Sequence, residues 1–569
     1  MRAALKSGQS RYFFLLFIFC LLISGVAVRL FFLQVMQHGV YAANAQKQHQ
    51  VQTELFPRRG EIFIQEKGDQ WHPLAVNRNF KTVFLVPKEV VDQAMVAESL
   101  APLVGVDQEI ILKKVSNAND PYEPLKSKLD DETAAKIESL KLAGIYLIDE
   151  NWRWYPQGNL AAHVLGFVGR RDEARLGQYG LEQYYEMELQ GQSGFLSSEK
   201  DALGRWLLLG DYSREQEQDG TDLYLTLDQN IQYALQQKIK GLAEKWQASG
   251  ACALVLEPKT GAIRAMVSWP DFDPNNYQVA SSTNVFINSC VQQLYEPGSI
   301  FKPIVMAAGL DSAKISPQTT FVDKGILSIG GYTIQNSQQK VYGVSTMTQV
   351  LEKSINTGVV FVEQLIGGEL FKKYIEAFGF GEMTGVDLAG EVSGNLKNIR
   401  ENREINYATA AFGQGVSMTP LGMALAISAI ANDGKLMKPF MVEKMVMANG
   451  EEKKTEPQVW RQVITPATAA KLTAMLVSTV RNGYDKIKIA NYFVAGKTGT
   501  AQIATQQGYS ETETNHSFVG YAPAYNPKFL ILIKLEKPQG IEFASESLAP
   551  AFGELTQYLL NYYEIPPEE

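Results

Sequence analysis

Ser299 and Lys302 stand three residues apart in the segment YEPGSIFK, residues 295–302. Pro297-Gly298 breaks the chain ahead of them, and an apolar helical pattern runs on from 304 to 310. Ser299 is therefore expected at a helix amino terminus, with Pro303 tolerated only because it lies near the helix start. At this spacing the two side chains share one face. A serine hydroxyl is a weak nucleophile until a base removes its proton. A lysine can be that base if burial or a neighbouring positive charge lowers its pKa. The free N–H groups of a helix start also favour a developing anion. For an isolated Ser-x-x-Lys, a capping serine and a solvated lysine are the better explanation.

Two further segments offer matching chemistry. Ser354-Ile355-Asn356 follows a helical stretch at 348–353 and brings a hydroxyl and an amide. Lys497-Thr498-Gly499-Thr500 follows residues 492–496, which read as a strand opening onto a site. There the lysine supplies positive charge, the threonine a hydroxyl, and the glycine room for close approach. Taken singly, these are a helix terminus and a strand end with a turn.

The elements that must position these groups are legible in outline. Residues 223–227 alternate as a strand, and 229–245 have helical periodicity. Residues 251–257 and 262–268 read as a hairpin closed by Pro258-Lys259-Thr260-Gly261. Residues 517–522 and 529–535 are strand-like again, with Pro523 and Pro527 between them. Early strands, a helical middle and late strands predict an α+β domain with one antiparallel sheet. Ahead of it, residues 75–225 mix short strands with polar helical patches, as a pedestal or a partner-binding module would. The tail, 562–569, reads as frayed.

At the amino terminus an apolar run at 12–28, nearly extended by 30–35, is long enough to cross a bilayer. Arg2, Lys6 and Arg11 precede it and keep the terminus cytoplasmic. Cleavage after Ala43-Asn44-Ala45 is the competing reading, but that site lies far beyond the run. Residues 46–52 are polar and read as an exposed stalk. The net charge of −8 argues against a nucleic-acid partner. Cys20, Cys252 and Cys290 give no disulfide framework and read as inert thiols. His38, His49, His72, His163 and His516 lack zinc-ligand spacing, so no metal is expected.

Taken in order, Ser299-x-x-Lys302, Ser354-x-Asn356 and Lys497-Thr498-Gly499 resemble the motif triad of penicillin-binding proteins and serine β-lactamases. The surrounding text resembles class B penicillin-binding proteins of the cell-division type: YEPGSIFKP at 295–303, FGFGEMTGVDL at 378–388, FGQGVSMTPL at 412–421, VAGKTGTAQ at 494–502 and SFVGYAP at 517–523. Arg59-Gly60-Glu61-Ile62, residues 153–169 and Gly180-Leu181-Glu182 extend the likeness into the pedestal, although FIQEKG at 63–68 departs from the family's usual continuation.

The resemblance implies a cytoplasmic tail at 1–11, an anchor at 12–35, a pedestal at 36–220 and a transpeptidase domain at 221–569. It implies a peptidoglycan D,D-transpeptidase, acylated by β-lactams and needing no cofactor, with a polytopic glycosyltransferase and other cell-wall synthesis proteins as partners. In that reading Ser299 is the nucleophile and Lys302 its base, and Ser354 and Asn356 relay protons and orient the substrate. Lys497 and Thr498 hold the substrate carboxylate, and the N–H groups of Ser299 and Thr500 form the oxyanion hole beside Gly499. Length, and the lack of a module after Glu569, favour the septal over the side-wall enzyme. A β-lactamase is disfavoured by the pedestal and anchor. A β-lactam sensor or resistance protein remains the other alternative; a sensor is expected to carry several membrane helices.

Overall fold

The computed structural model describes residues 2–39, 41, 50–68, 70–117, 120, 122–171, 174–199, 213–484, 487, 489–505 and 508–568. The Ala43-Asn44-Ala45 segment, and the expected stalk up to residue 49, lie outside the described residues; the last stalk residues, 50–52, are not a free stalk but part of a paired strand. The chain divides into two compact units, Met1–Arg58 with Gly191–Asp219, and Arg59–Gln190 with Gly220–Glu569. The first contains the helix Arg2–Phe31, which continues as a π-helical turn, Phe32–Met36. Within it Tyr12–Met36 is apolar and long enough to cross a membrane. The same unit holds a small antiparallel sheet in which Gly194–Glu199 pairs Gln50–Leu55 on one side and Ser213–Glu215 on the other.

The second unit carries two large sheets. The first has seven strands. Its longest, Gln70–Leu85, spans 16 residues where only short strands were expected. Asp222–Asp228 lies beside Ile62–Glu66 in parallel and beside Val442–Val446 in antiparallel register, so this sheet runs on past residue 221. Its edge is pinned by a buried ionic cluster. Glu182, fully buried, accepts from Arg153 Nε at 2.7 Å and from Arg59 Nε at 2.8 Å, and Tyr155 adds its hydroxyl at 3.2 Å. Arg59 also bonds Glu186, at 2.6 Å, and Arg153 reaches the Gly60 carbonyl at 2.7 Å. Burial pushes the Glu182 carboxyl up, but the two guanidiniums outweigh it and hold it below its usual value. The three pedestal segments that carried the family likeness therefore meet at one carboxylate.

The second sheet has five antiparallel strands. In chain order they are β1 (Gly250–Leu256), β2 (Ile263–Trp269), β3 (Ala495–Thr505), β4 (Gly508–Ala522) and β5 (Phe529–Glu536). Their spatial order is β2-β1-β5-β4-β3, which leaves β3 at one edge. On one face pack α1 (Gln229–Lys245), capped by Asp228, and the carboxy-terminal helix Ala549–Tyr562. On the other lie α2 (Lys302–Asp311), α3 (Met347–Glu352), α4 (Asn356–Ile366), α5 (Pro420–Ala431) and α6 (Pro466–Gly483). Every residue of α5 except Gly422 is buried. A helix apolar on all sides belongs in such a core. The predicted α+β architecture with one antiparallel catalytic sheet is the one observed.

Three details differ from expectation. Cys252 and Cys290 form a disulfide, with Cα atoms 5.6 Å apart, joining β1 to the segment ahead of Ser299. They are 38 residues apart in the chain, and only the packing of that segment onto the sheet brings them together. The tail is also tied down rather than frayed: Glu568 N donates to Asn491 O, and its carboxylate accepts from Phe493 N. Third, β3 begins at Ala495, so residues 492–494 lead into the strand without belonging to it.

Breaking the ionic cluster leaves guanidiniums buried without a counter-charge. Glu182→Gln is expected to destabilise the fold by about 3–5 kcal/mol, read as a lower thermal midpoint of the detergent-solubilised protein. Glu132→Gln, in an exposed pair with Lys136, leaves that midpoint unchanged.

Candidate active site

Ser299 lies in a 3-10 turn, Gly298–Phe301, that feeds directly into α2. Gly298 has φ +59°, and a Cβ there would meet Ala501 Cβ at 2.9 Å. A Cβ on Gly413 would meet the Gly298 carbonyl oxygen at 2.2 Å, and Gly298 N donates to Gly413 O at 3.0 Å. Two glycines are thus needed back to back for the nucleophile loop to seat against residues 412–415. Ser299 is partly exposed, and its Oγ has no hydrogen-bond partner among the described residues. Its N–H lies in the first turn of a helix, where backbone donors lack intrahelical partners.

Lys302 is the first residue of α2 and is fully buried. Its Nζ lies 2.6 Å from Ser354 O, 2.7 Å from Asn356 Oδ1 and 3.2 Å from Ser354 Oγ. Burial strips the ammonium of water, and Lys497 adds like-charge repulsion, so its pKa falls well below the ordinary lysine value. A neutral amine has two N–H groups and one lone pair. Of its three oxygen neighbours only the Ser354 hydroxyl can donate back to that lone pair. The structure thus joins Lys302 to Ser354 and Asn356, but does not hydrogen-bond it to Ser299. Such contacts are often loose before substrate arrives.

The Ser354-Ile355-Asn356 turn is braced from three sides. Ser354 has φ 53°, a left-handed conformation costly for a residue with a Cβ. From α3, Glu352 accepts from Ser478 Oγ at 2.5 Å and Asn482 Nδ2 at 2.8 Å, both on α6. It is therefore engaged by α6. Behind α4, Asp323 is buried and accepts from Thr357 Oγ1 at 2.6 Å, Tyr342 N at 2.8 Å, and Gly325 N and Asn336 Nδ2 at 2.9 Å. Asn356 Nδ2 donates to Gln335 O at 2.9 Å.

Lys497 is 1% exposed, with Nζ 3.2 Å from Tyr484 Oη, and Gly499 faces the nucleophile loop from β3. A Cβ on Gly499 would meet Ser517 Oγ at 2.5 Å and Pro297 O at 2.8 Å, so glycine is required there for closeness, as anticipated. Thr498 and Thr500 are partly exposed. Thr500 Oγ1 accepts from Ala544 N at 3.1 Å. Tyr484 lies between Lys497 and Thr498, and nothing in the sequence pointed to it. All eight sequence-predicted residues thus fall on three neighbouring elements: the α2 start, the α3–α4 turn and the edge strand β3. Such a cleft offers a hydroxyl, a depressed lysine, a second cation and a helix-start N–H, the parts of an acyl-transfer site.

Comparison with known proteins gives the same answer for most of the chain. Residues 251–557 match the model of the penicillin binding protein transpeptidase domain, and residues 54–225 match that of the penicillin-binding protein dimerisation domain. The chain belongs to the class B penicillin-binding proteins. Among relatives, it is 34% identical over 522 residues to stage V sporulation protein D of Bacillus subtilis, spanning 90% of this chain and 79% of that one. It is 30% identical over 569 residues to a peptidoglycan D,D-transpeptidase FtsI homolog of Mesostigma viride, covering 95% and 93%. Penicillin binding protein 2X of Streptococcus thermophilus shares the fold, with a TM-score of 0.73 at 21% identity over 90% of this chain and 80% of that one. A peptidoglycan synthetase of Bifidobacterium adolescentis gives 0.71 at 25%, covering 91% and 98%.

In this penicillin-binding protein the buried Lys302 makes stability pH-dependent in a defined direction. Between its lowered folded-state pKa and the ordinary lysine value, the unfolded chain binds one more proton than the folded one, so stability rises with pH across that window. The thermal midpoint of the parent is therefore expected to gain on that of Lys302→Met as pH climbs from neutral toward about 10. A gap that does not move with pH contradicts a depressed Lys302.

Proposed function

We propose that this chain is a serine-type D-Ala-D-Ala transpeptidase that cross-links peptidoglycan stem peptides during septal wall synthesis. The observation that carries the reading is the convergence at Lys302, whose amine meets Ser354 and Asn356 one helical turn from Ser299 and close to Lys497. Ser299 Oγ attacks the carbonyl carbon of the penultimate D-alanine and gives its proton to neutral Lys302. The N–H groups of Ser299 and Thr500 receive the oxyanion, where a lost donor costs about 3–4 kcal/mol. Ser354 passes a proton to the departing amine, the peptide bond breaks and D-alanine leaves. Asn356 orients Lys302 and the substrate amide, and Lys497 with Thr498 binds the terminal carboxylate beside Gly499. Lys302 returns its proton to Ser354. The amine of a second stem peptide then attacks the acyl-enzyme and gives up a proton to Lys302, which passes it to Ser299 Oγ as the ester bond breaks and the new amide forms.

Slow hydrolysis follows from the same arrangement. A β-lactamase needs a further base to activate water. Two carboxylates near motif-like segments are already engaged: Glu352 by Ser478 and Asn482, and Glu391 by Thr384 and Gly385. We also propose that the domains divide at residues 35/36 and 220/221. In this proposal the helix at 12–35 is a single-pass anchor with the amino terminus cytoplasmic, a reading supported by the basic residues ahead of it. The Cys252–Cys290 disulfide supports an oxidising, extracytoplasmic location for the catalytic body. The pedestal and anchor are the surfaces offered to a polytopic glycosyltransferase. The septal role is supported by relatives named as FtsI homologues, and depletion should give filamentous rather than rounded cells.

Intact-mass analysis after penicillin treatment should show one adduct, absent in Ser299→Ala. The adduct should persist for minutes and be released faster by D-amino acids; rapid turnover without amine transfer would mark a β-lactamase. Lys302→Arg should acylate about 10²–10⁴-fold more slowly, since arginine stays protonated; a parental rate would reduce Lys302 to a fixed charge.

A further inference from the structure

Tyr484 follows the last turn of α6 and is buried, yet none of the steps above uses it. Its hydroxyl lies 2.8 Å from Thr498 Oγ1, 3.1 Å from Thr498 N and 3.2 Å from Lys497 Nζ. The ring is held edge-on against Phe518, and the backbone is tied by Tyr484 N to Val480 O and by Ile487 N to Tyr484 O.

The direction of these bonds follows from what each group can do. A peptide N–H and a lysine ammonium only donate. Both therefore give hydrogens to the phenolic oxygen, which has a single hydrogen of its own. The remaining neighbour, Thr498 Oγ1, must receive it. A threonine hydroxyl that accepts from Tyr484 keeps its own hydrogen free, and Thr498 is partly exposed. Thr498 thus offers a donor, next to the positive charge of Lys497. With the hydrogen bonds reversed, Thr498 would present only lone pairs to the cleft and would repel an anion.

We propose that Tyr484 is a positioning residue that sets the Thr498 hydroxyl as a hydrogen-bond donor and fixes Lys497 beside it, making the β3 wall selective for substrates that carry a carboxylate. This rests on the reading that Lys497 and Thr498 bind the substrate carboxylate, and adds what gives that pair its direction. The chemical class selected is an acyl donor with a free carboxylate, such as a peptide carboxy terminus or a penicillin acid. Tyr484→Phe keeps the ring and its packing and removes only the oxygen. Thr498 N–H and Lys497 then lose an acceptor, and the Thr498 hydroxyl is free to rotate.

The test compares the second-order acylation rates of a penicillin acid and its neutral methyl ester, followed by intact mass on the full-length protein in detergent. In Tyr484→Phe the rate with the acid should fall about tenfold, mainly through weaker binding, while the ester rate falls far less. The acid-to-ester preference of the parent thereby shrinks. Adding Thr498→Val to Tyr484→Phe should cost less with the acid than Thr498→Val costs in the parent, because both changes act through the same donor. An unchanged acid-to-ester ratio in Tyr484→Phe overturns the proposal. So does an equal loss with both compounds, which is what a general structural defect produces. If the parent forms no adduct with either compound, the transpeptidase reading fails first.

Discussion

The site is organised around one costly placement, an amine with no access to water. Lys302 begins α2 beneath the sheet, and everything near it either stabilises that amine or keeps it uncharged. A lysine at the surface would stay protonated and could not serve as a base. Burial is the larger cause of its lowered pKa, and Lys497 adds to it as a second buried amine. The oxygens of Ser354 and Asn356 then fix where the lone pair points. This demands an α3–α4 turn that does not move. The left-handed Ser354 is held by the α6 contacts of Glu352 on one side and the Asp323 cluster on the other.

The second constraint is the tight seating of the nucleophile loop against its neighbours. Gly298, Gly413 and Gly499 each stand where a Cβ would strike backbone or a fixed side chain. The loop is thereby clamped between the edge strand and residues 412–415, with its base already seated below. The disulfide secures the same loop from behind, tying the segment before it to β1. Closing that 38-residue loop contributes about 4 kcal/mol in the chain-entropy view.

Much of this was legible in the sequence, and the reason differs by element. The α1 bounds, the β1–β2 hairpin and the β5 strand were readable because periodicity and turn residues are local signals. The three motifs were readable because nucleophile, base and cation are chemically distinctive residue types in a characteristic order. Contacts between distant segments left no such trace. Tyr484 resembles any tyrosine after a helix, and only the approach of α6 to β3 gives it two donors to accept. Cys252 and Cys290 carry no spacing signal, and Asp323 is one acid among many until α4 packs onto it. The tail looked frayed because its anchoring bonds to 491–493 are made largely by backbone groups, which composition does not reveal.

The central claim is that Lys302 is neutral at working pH and acts as the base for Ser299. Its most direct test is the pH dependence of the second-order rate of Ser299 acylation by a penicillin. A depressed lysine predicts a rate that rises with a midpoint well below that of a free lysine and has reached its plateau before the ordinary lysine range. A rate that instead keeps climbing toward about 10.4, the ordinary lysine value, would contradict the account.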